Sequence, residues 1–168
     1  VEGTYLFARR NDCLFFKLIG KLKYTFSSGF DTFLDTLIEE DDFTSAVFDL
    51  TETEYLDSTN LGLIAKLGEH LLNNHGTRLT IISTKEDINQ ILRSVGFDDY
   101  FIIIDDASRK EEQLEEIPFL DQDEIDTAKV VLDSHKHLIS LDERNEKPFQ
   151  NIVALIEKEL DEKEKGIE

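Results

Sequence analysis

Ser45–Leu50, SAVFDL, and the segment that follows it, Thr51–Gly62, TETEYLDSTNLG, decide how this chain is read. SAVFDL is a short apolar run of the kind shown by a strand buried on both faces. From Leu61 onward the apolar residues take helical spacing, with Leu61, Ile64, Ala65, Gly68 and Leu72 on one face. Asp57, Ser58, Thr59 and Asn60 stand between the two periods, and all four suit the start of a helix. A buried strand that turns directly into an amphipathic helix is the repeating unit of an α/β domain.

The flanking sequence extends this pattern in both directions. Upstream, Thr4 to Arg10 and Cys13 to Leu22 are rich in aromatic and β-branched residues and are separated by Asn11-Asp12, which predicts a β-hairpin. Ser27 to Glu40 follows with Phe30, Phe33, Leu34, Leu37 and Ile38 on one helical face. Downstream, Asn74-His75-Gly76 ends the second helix, and Leu79 to Ser83 (LTIIS) reads as a buried strand. Ile88, Ile91, Leu92 and Val95 mark a third helix closed by Gly96, and Tyr100 to Ile104 (YFIII) completes the series. The order β-β-α-β-α-β-α-β predicts an α/β domain over residues 1–106. Its sheet is mostly parallel, flanked by helices, with the hairpin adding an antiparallel member. Phe48, Ile64, Leu79, Ile81, Leu92 and Ile102 are the expected core.

Residues 107–123 are rich in charge, contain Pro118 and read as an acidic linker. Residues 124–168 form a C-terminal helical extension, with helices expected over about 124–143 and 148–162. Asp121 and Glu124 have capping-box spacing, and Pro148 suits the first turn of the second helix. Phe149, Ile152, Val153, Ile156 and Leu160 form an apolar stripe on that helix. Ile125, Ala128, Leu132 and Ile139 recur at helical intervals on the first helix, and a helical hairpin cannot hide two such stripes without a surface to lie on. The extension is therefore assigned to partner choice or self-association.

The 168 residues include 37 acidic and 18 basic side chains, a formal charge of −19. Such a surface repels phosphate backbones and anionic headgroups, so neither nucleic acid nor membrane is expected as a partner. Cys13, the single cysteine, has no disulfide partner and no second thiol for zinc, and reads as a buried thiol. No window of about 18 apolar residues reaches the length of a membrane span, and no signal segment opens the chain. The cytoplasm is the expected compartment.

Catalytic patterns are missing. Ser58 and the nearest downstream histidine, His70, are twelve residues apart, about 18 Å along a helix. His135 and His137 point apart on a helix and read as ordinary surface or packing residues. Asp121, Asp123 and Asp126 lack the glycine and glutamate of a calcium loop. Gly20, Gly29 and Gly62 are isolated, so no phosphate cradle is built. No enzyme, metal or cofactor is expected.

Tyr55-Leu56-Asp57-Ser58-Thr59-Asn60-Leu61-Gly62 resembles the signature of STAS domains, particularly the bacterial anti-sigma factor antagonists. In that family an aliphatic strand end is followed by Asp-Ser-(Ser/Thr/Ala)-Gly-aliphatic-Gly. Here Asn60 replaces the glycine. Ile19-Gly20-Lys21-Leu22-Lys23 resembles the family's Gly-Glu-Leu-Asp turn, with lysines in place of the acids. The likeness covers about residues 3–106 and implies a phosphorylation-controlled partner switch. Ser58 is then the phosphorylation site, and Asp57, Thr59, Asn60, Gly62, Gly20, Lys21 and Lys23 are partner-binding. The implied partners are an anti-sigma factor that is also a serine kinase, and a serine phosphatase. The Ser58 hydroxyl is expected to face solvent at the helix start. The alternatives are a non-switching STAS-like subunit of a transport or signalling assembly and, further off, a receiver domain with Asp49 as phosphoacceptor.

Overall fold

The computed structural model describes residues 2–106 and 113–166. β1 (Thr4–Arg10) and β2 (Cys13–Leu22) pair antiparallel around Asn11, which takes the left-handed conformation that asparagine tolerates. Leu14, Phe16, Leu18 and Leu22 alternate along β2 into the core. Cys13 at its start is only half-buried. Near its far end Gly20 has a φ of 84°, and the pairing register shifts between Gly20 and Lys21. A side chain would strain that bulge.

The chain continues through α1 (Ser28–Glu40), β3 (Ser45–Asp49), β4 (Thr53–Leu56), α2 (Ser58–His75) and β5 (Thr80–Ile82). Then come α3 (Glu86–Ser94), a single-turn α4 (Phe97–Tyr100) and β6 (Ile102–Ile104). The sheet runs β6-β5-β3-β2-β1 with β2, β3, β5 and β6 parallel, as the order of elements predicts. Two strands lack an apolar signature. β7 (Glu115–Glu116) lies in the expected linker and extends the sheet beyond β1. β4 pairs with β2 beyond the Gly20 bulge.

The core centres on β2, β3 and the helices above them. Phe16 and Phe48 stack at 4.6 Å, and Phe30 meets Phe48 edge-on at 6.2 Å. Phe48, Ile64, Leu79, Ile81 and Leu92 are fully buried, but Ile102 is 42% exposed because β6 is an edge strand. Lys66 of α2 is buried against α1, with Nζ 2.7 Å from Asp31 and 2.6 Å from Asp35. That pairing satisfies a charge the interior would otherwise reject.

The extension folds as α5 (Glu124–Leu141) and α6 (Glu146–Gly166), joined by a turn at Glu143–Asn145. Asp123, not Asp121, caps α5 by accepting from the Asp126 N–H at 2.8 Å. Pro148 falls in the first turn of α6, where its missing N–H costs little. α5 lies across α2, and its Val130, Leu138 and Leu141 join the same hydrophobic core as the sheet. Buried Asn145 fastens the turn, donating to the carbonyls of Val95 at 3.0 Å and Leu138 at 2.8 Å. On α6, Ile156 and Leu160 are buried, Phe149 and Val153 are half-buried, and Ile152 stays exposed.

Candidate functional site

The site forms where β4 becomes α2. Leu56 is buried at the strand end, and Asp57 takes the extended conformation of an N-cap. One oxygen of its carboxylate accepts from the Asn60 backbone N–H at 3.0 Å and the Asn60 side chain at 2.9 Å. The other accepts from the Tyr24 N–H at 2.6 Å, tying the end of β2 to the start of α2. Asn60 is fully buried, and its side-chain oxygen accepts from the Tyr5 hydroxyl. Burial, reinforced by the charge of Asp57, pushes the Tyr5 phenol far above its ordinary range, so it remains a donor. Thr59 is buried as well. Thr59 and Asn60 therefore brace the loop from within, while Lys21 and Lys23 are exposed beside it.

Ser58, the first residue of α2, does not face solvent. It is half-buried, and its Oγ lies 2.7 Å from Nε2 of His135 on α5. His135 Nδ1 lies 2.6 Å from the Val131 carbonyl, which can only accept, so the proton sits on Nδ1. Burial lowers the imidazole below the ordinary histidine value of 6.5, outweighing the Val131 carbonyl and Asp57, which favour the charged form. The neutral ring is thereby favoured, and its Nε2 accepts a hydrogen bond from the Ser58 hydroxyl. Phe149 of α6 meets the imidazole edge-on at 5.3 Å and helps hold it. A serine with a neutral imidazole as proton acceptor is a nucleophile and base in reach of each other.

Gly62, one turn into α2, admits this approach. A Cβ there would lie 2.1 Å from the Ser134 carbonyl oxygen, so α5 could not seat as closely on any other residue. Around Ser58 the domain and the extension enclose an open groove of about 1070 Å³. Lys21, Lys23 and Tyr55 line it from the domain, and Val131, Ile156 and Lys163 from the extension.

The structure thus gathers Asp57, Ser58, Thr59, Asn60, Lys21 and Lys23 at one place, with Gly20 shaping the bulge and Gly62 the helix contact. Sequence reasoning missed His135. Its signal was its place at helical spacing with Val131 and Leu138 on the inward face of α5. Asp49, the receiver alternative, is engaged in a turn, accepting from the Thr51 N–H at 2.9 Å and its hydroxyl at 2.7 Å.

The family model of the STAS domain matches residues 6–111. The chain belongs to the STAS family. This membership replaces the receiver alternative and leaves α5 and α6 outside the match. Among solved structures, the unphosphorylated form of the anti-sigma factor antagonist SpoIIAA superposes with a TM-score of 0.52 at 14% identity. It covers 62% of this chain and 89% of that one. The phosphorylated form of SpoIIAA, a Bacillus cell fate determinant, gives 0.50 at 14% identity, covering 60% and 90%. An anti-sigma factor antagonist from Mycobacterium paratuberculosis gives 0.54 at 17% identity, covering 63% and 88%. At these identities the likeness is one of fold. Comparison with curated proteins gives no match. No helix among the described residues is long and apolar enough to cross a membrane.

Proposed function

We propose that this STAS chain is an anti-sigma factor antagonist whose C-terminal helices cover its switch serine. Unphosphorylated, it binds an anti-sigma factor that is also a serine kinase. Phosphorylation of Ser58 then weakens the complex, and a serine phosphatase reverses the change. The observation that carries the reading is Ser58 as the first residue of α2, behind the Asp57 cap and within the stretch matched by the STAS domain model.

Three physical arguments support it. A phosphate at the first residue of a helix faces unpaired N–H groups and the positive end of the dipole, so the fold tolerates it. It adds about −1.5 to −2 charges beside Asp57, which weakens an interface made there. A phosphate also cannot fit between groups already in hydrogen-bond contact, so α5 must leave Ser58 before a kinase acts. Docking of the extension and engagement of the kinase are then mutually exclusive.

The experiment is incubation with ATP and each candidate serine kinase, mapping phosphate by mass spectrometry in the wild type and His135→Ala. The expected result is phosphate at Ser58, incorporated several-fold faster in His135→Ala. Phosphate at Thr59 instead, or none, would contradict the reading. A non-switching interaction subunit is the second reading, favoured by the fact that Ser58 is covered. It requires equal partner affinity in the wild type, Ser58→Ala and Ser58→Asp.

A further inference from the structure

A second group of chemically able side chains lies at the opposite end of α2. Asp41 caps the C-terminus of α1, and His70 and His75 lie in the last turns of α2. His70 Nε2 is 2.6 Å and His75 Nε2 2.8 Å from the same Asp41 oxygen, and one donor atom from each residue falls within a 4.8 Å cluster. The packing aims these rings. Buried Phe43 lies 5.7 Å from the His70 ring and 6.2 Å from that of His75, and the imidazoles are 5.8 Å apart. Along α2, His70 and His75 lie about 18 Å and 25 Å from Ser58.

We propose that Asp41, His70 and His75 form a binding site for a first-row divalent metal ion, with zinc the best fit. Two imidazole nitrogens and one carboxylate oxygen are a donor set that zinc favours. Bonds of about 2.0–2.2 Å at tetrahedral angles require donors roughly 3.3 Å apart, which small side-chain rotations reach. Water fills the remaining position. A metal-bound imidazole must give its other N–H to an acceptor. The Asn74 carboxamide lies 3.3 Å from His70 Nδ1 and, turned end for end, presents its oxygen there. The ion would clip the end of α1 to the end of α2.

The test is titration of the chelator-stripped full chain with Zn²⁺ and, separately, Co²⁺. One equivalent should bind, with a visible cobalt band. A Zn²⁺ concentration about a hundred times Kd should raise the melting temperature by roughly 5–10 °C. His70→Gln and His75→Gln should each weaken binding at least tenfold, and Asp41→Asn, nearly isosteric, should do the same. His137→Gln should leave binding unchanged, since His137 faces Glu69 instead. Circular dichroism of the metal-free variants confirms that they are folded. Absence of stoichiometric binding would overturn the proposal, as would binding that survives the His70 and His75 changes or follows His137.

Discussion

The two halves of this molecule bury their apolar residues differently. In the sheet domain, Phe16, Phe48, Ile64 and Ile81 are at most 1% exposed and packed from several sides. In the extension α5 supplies the buried members of that core and Phe149 of α6 packs against it, while α6 otherwise rests on α5 and leaves Ile152 and Leu155 exposed. The domain is thus the scaffold, and the extension is a cover held by one face of α5, the Asn145 fastening, the Ser58–His135 contact and polar ties from His137 and Ser140 to Glu69 and from Asp142 to Tyr100. Segments held by few buried apolar contacts open at lower free energy than the core. A cover of this kind can be displaced without unfolding what it covers.

Mutations that strike one half at a time test this contrast. The largest effect belongs to the scaffold. Phe48→Ala should cost about 3–5 kcal/mol, through lost burial and the cavity left beside Phe16, and should lower the melting temperature of the whole protein. Leu138→Ala on α5 should cost about 2–5 kcal/mol, but locally. Hydrogen exchange should show α5 and α6 losing protection while β3 and β5 keep theirs. If both mutants loosened all elements alike, scaffold and cover would be a single cooperative unit.

Gly62→Ala should act from the other side of the same contact, costing about 1–3 kcal/mol by pressing a methyl group on the Ser134 carbonyl. The expected readout is faster exchange in α5 and faster phosphorylation of Ser58, with the sheet unchanged. His135→Ala is gentler, removing one hydrogen bond worth about 1 kcal/mol along with the ring packed on Phe149. Acidification should mimic it. The folded His135 value is depressed, so the unfolded or undocked state binds the extra proton first. The contribution of His135 is complete above about pH 6.5 and falls as pH drops through the lower docked value. Between pH 7.5 and 5.5 the protection of α5 amides, measured relative to intrinsic exchange at each pH, should fall more in the wild type than in His135→Ala.

The contrast between the halves also explains what was legible in the sequence. β2, β3 and β5 announce themselves because both faces of a central parallel sheet need apolar residues, and Phe15, Phe16, Val47, Phe48, Ile81 and Ile82 supply them. β4 escaped notice because Thr53–Leu56 buries only its two ends and is defined by pairing beyond a bulge, not by its own pattern. Ile102 misled because a run of three isoleucines says nothing about which strand is last in the sheet. The start of α2 was readable from Asp57, a local cap. The Ser58–His135 contact was not, because it joins residues 77 apart through a helix whose docking no local spacing encodes. Asp41, His70 and His75 were hidden for the same reason.

Seating of His135 on Ser58 by the extension can be read directly by nitrogen-15 NMR of the His135 imidazole across pH, in the wild type and Ser58→Ala. Neutral wild-type His135 should carry its proton on Nδ1 and titrate below the ordinary histidine value of 6.5. In Ser58→Ala its titration should move upward, because the hydroxyl that stabilised the neutral ring is gone. A wild-type His135 that titrates near 6.5, with its proton mainly on Nε2 and no response to Ser58→Ala, would contradict that seating.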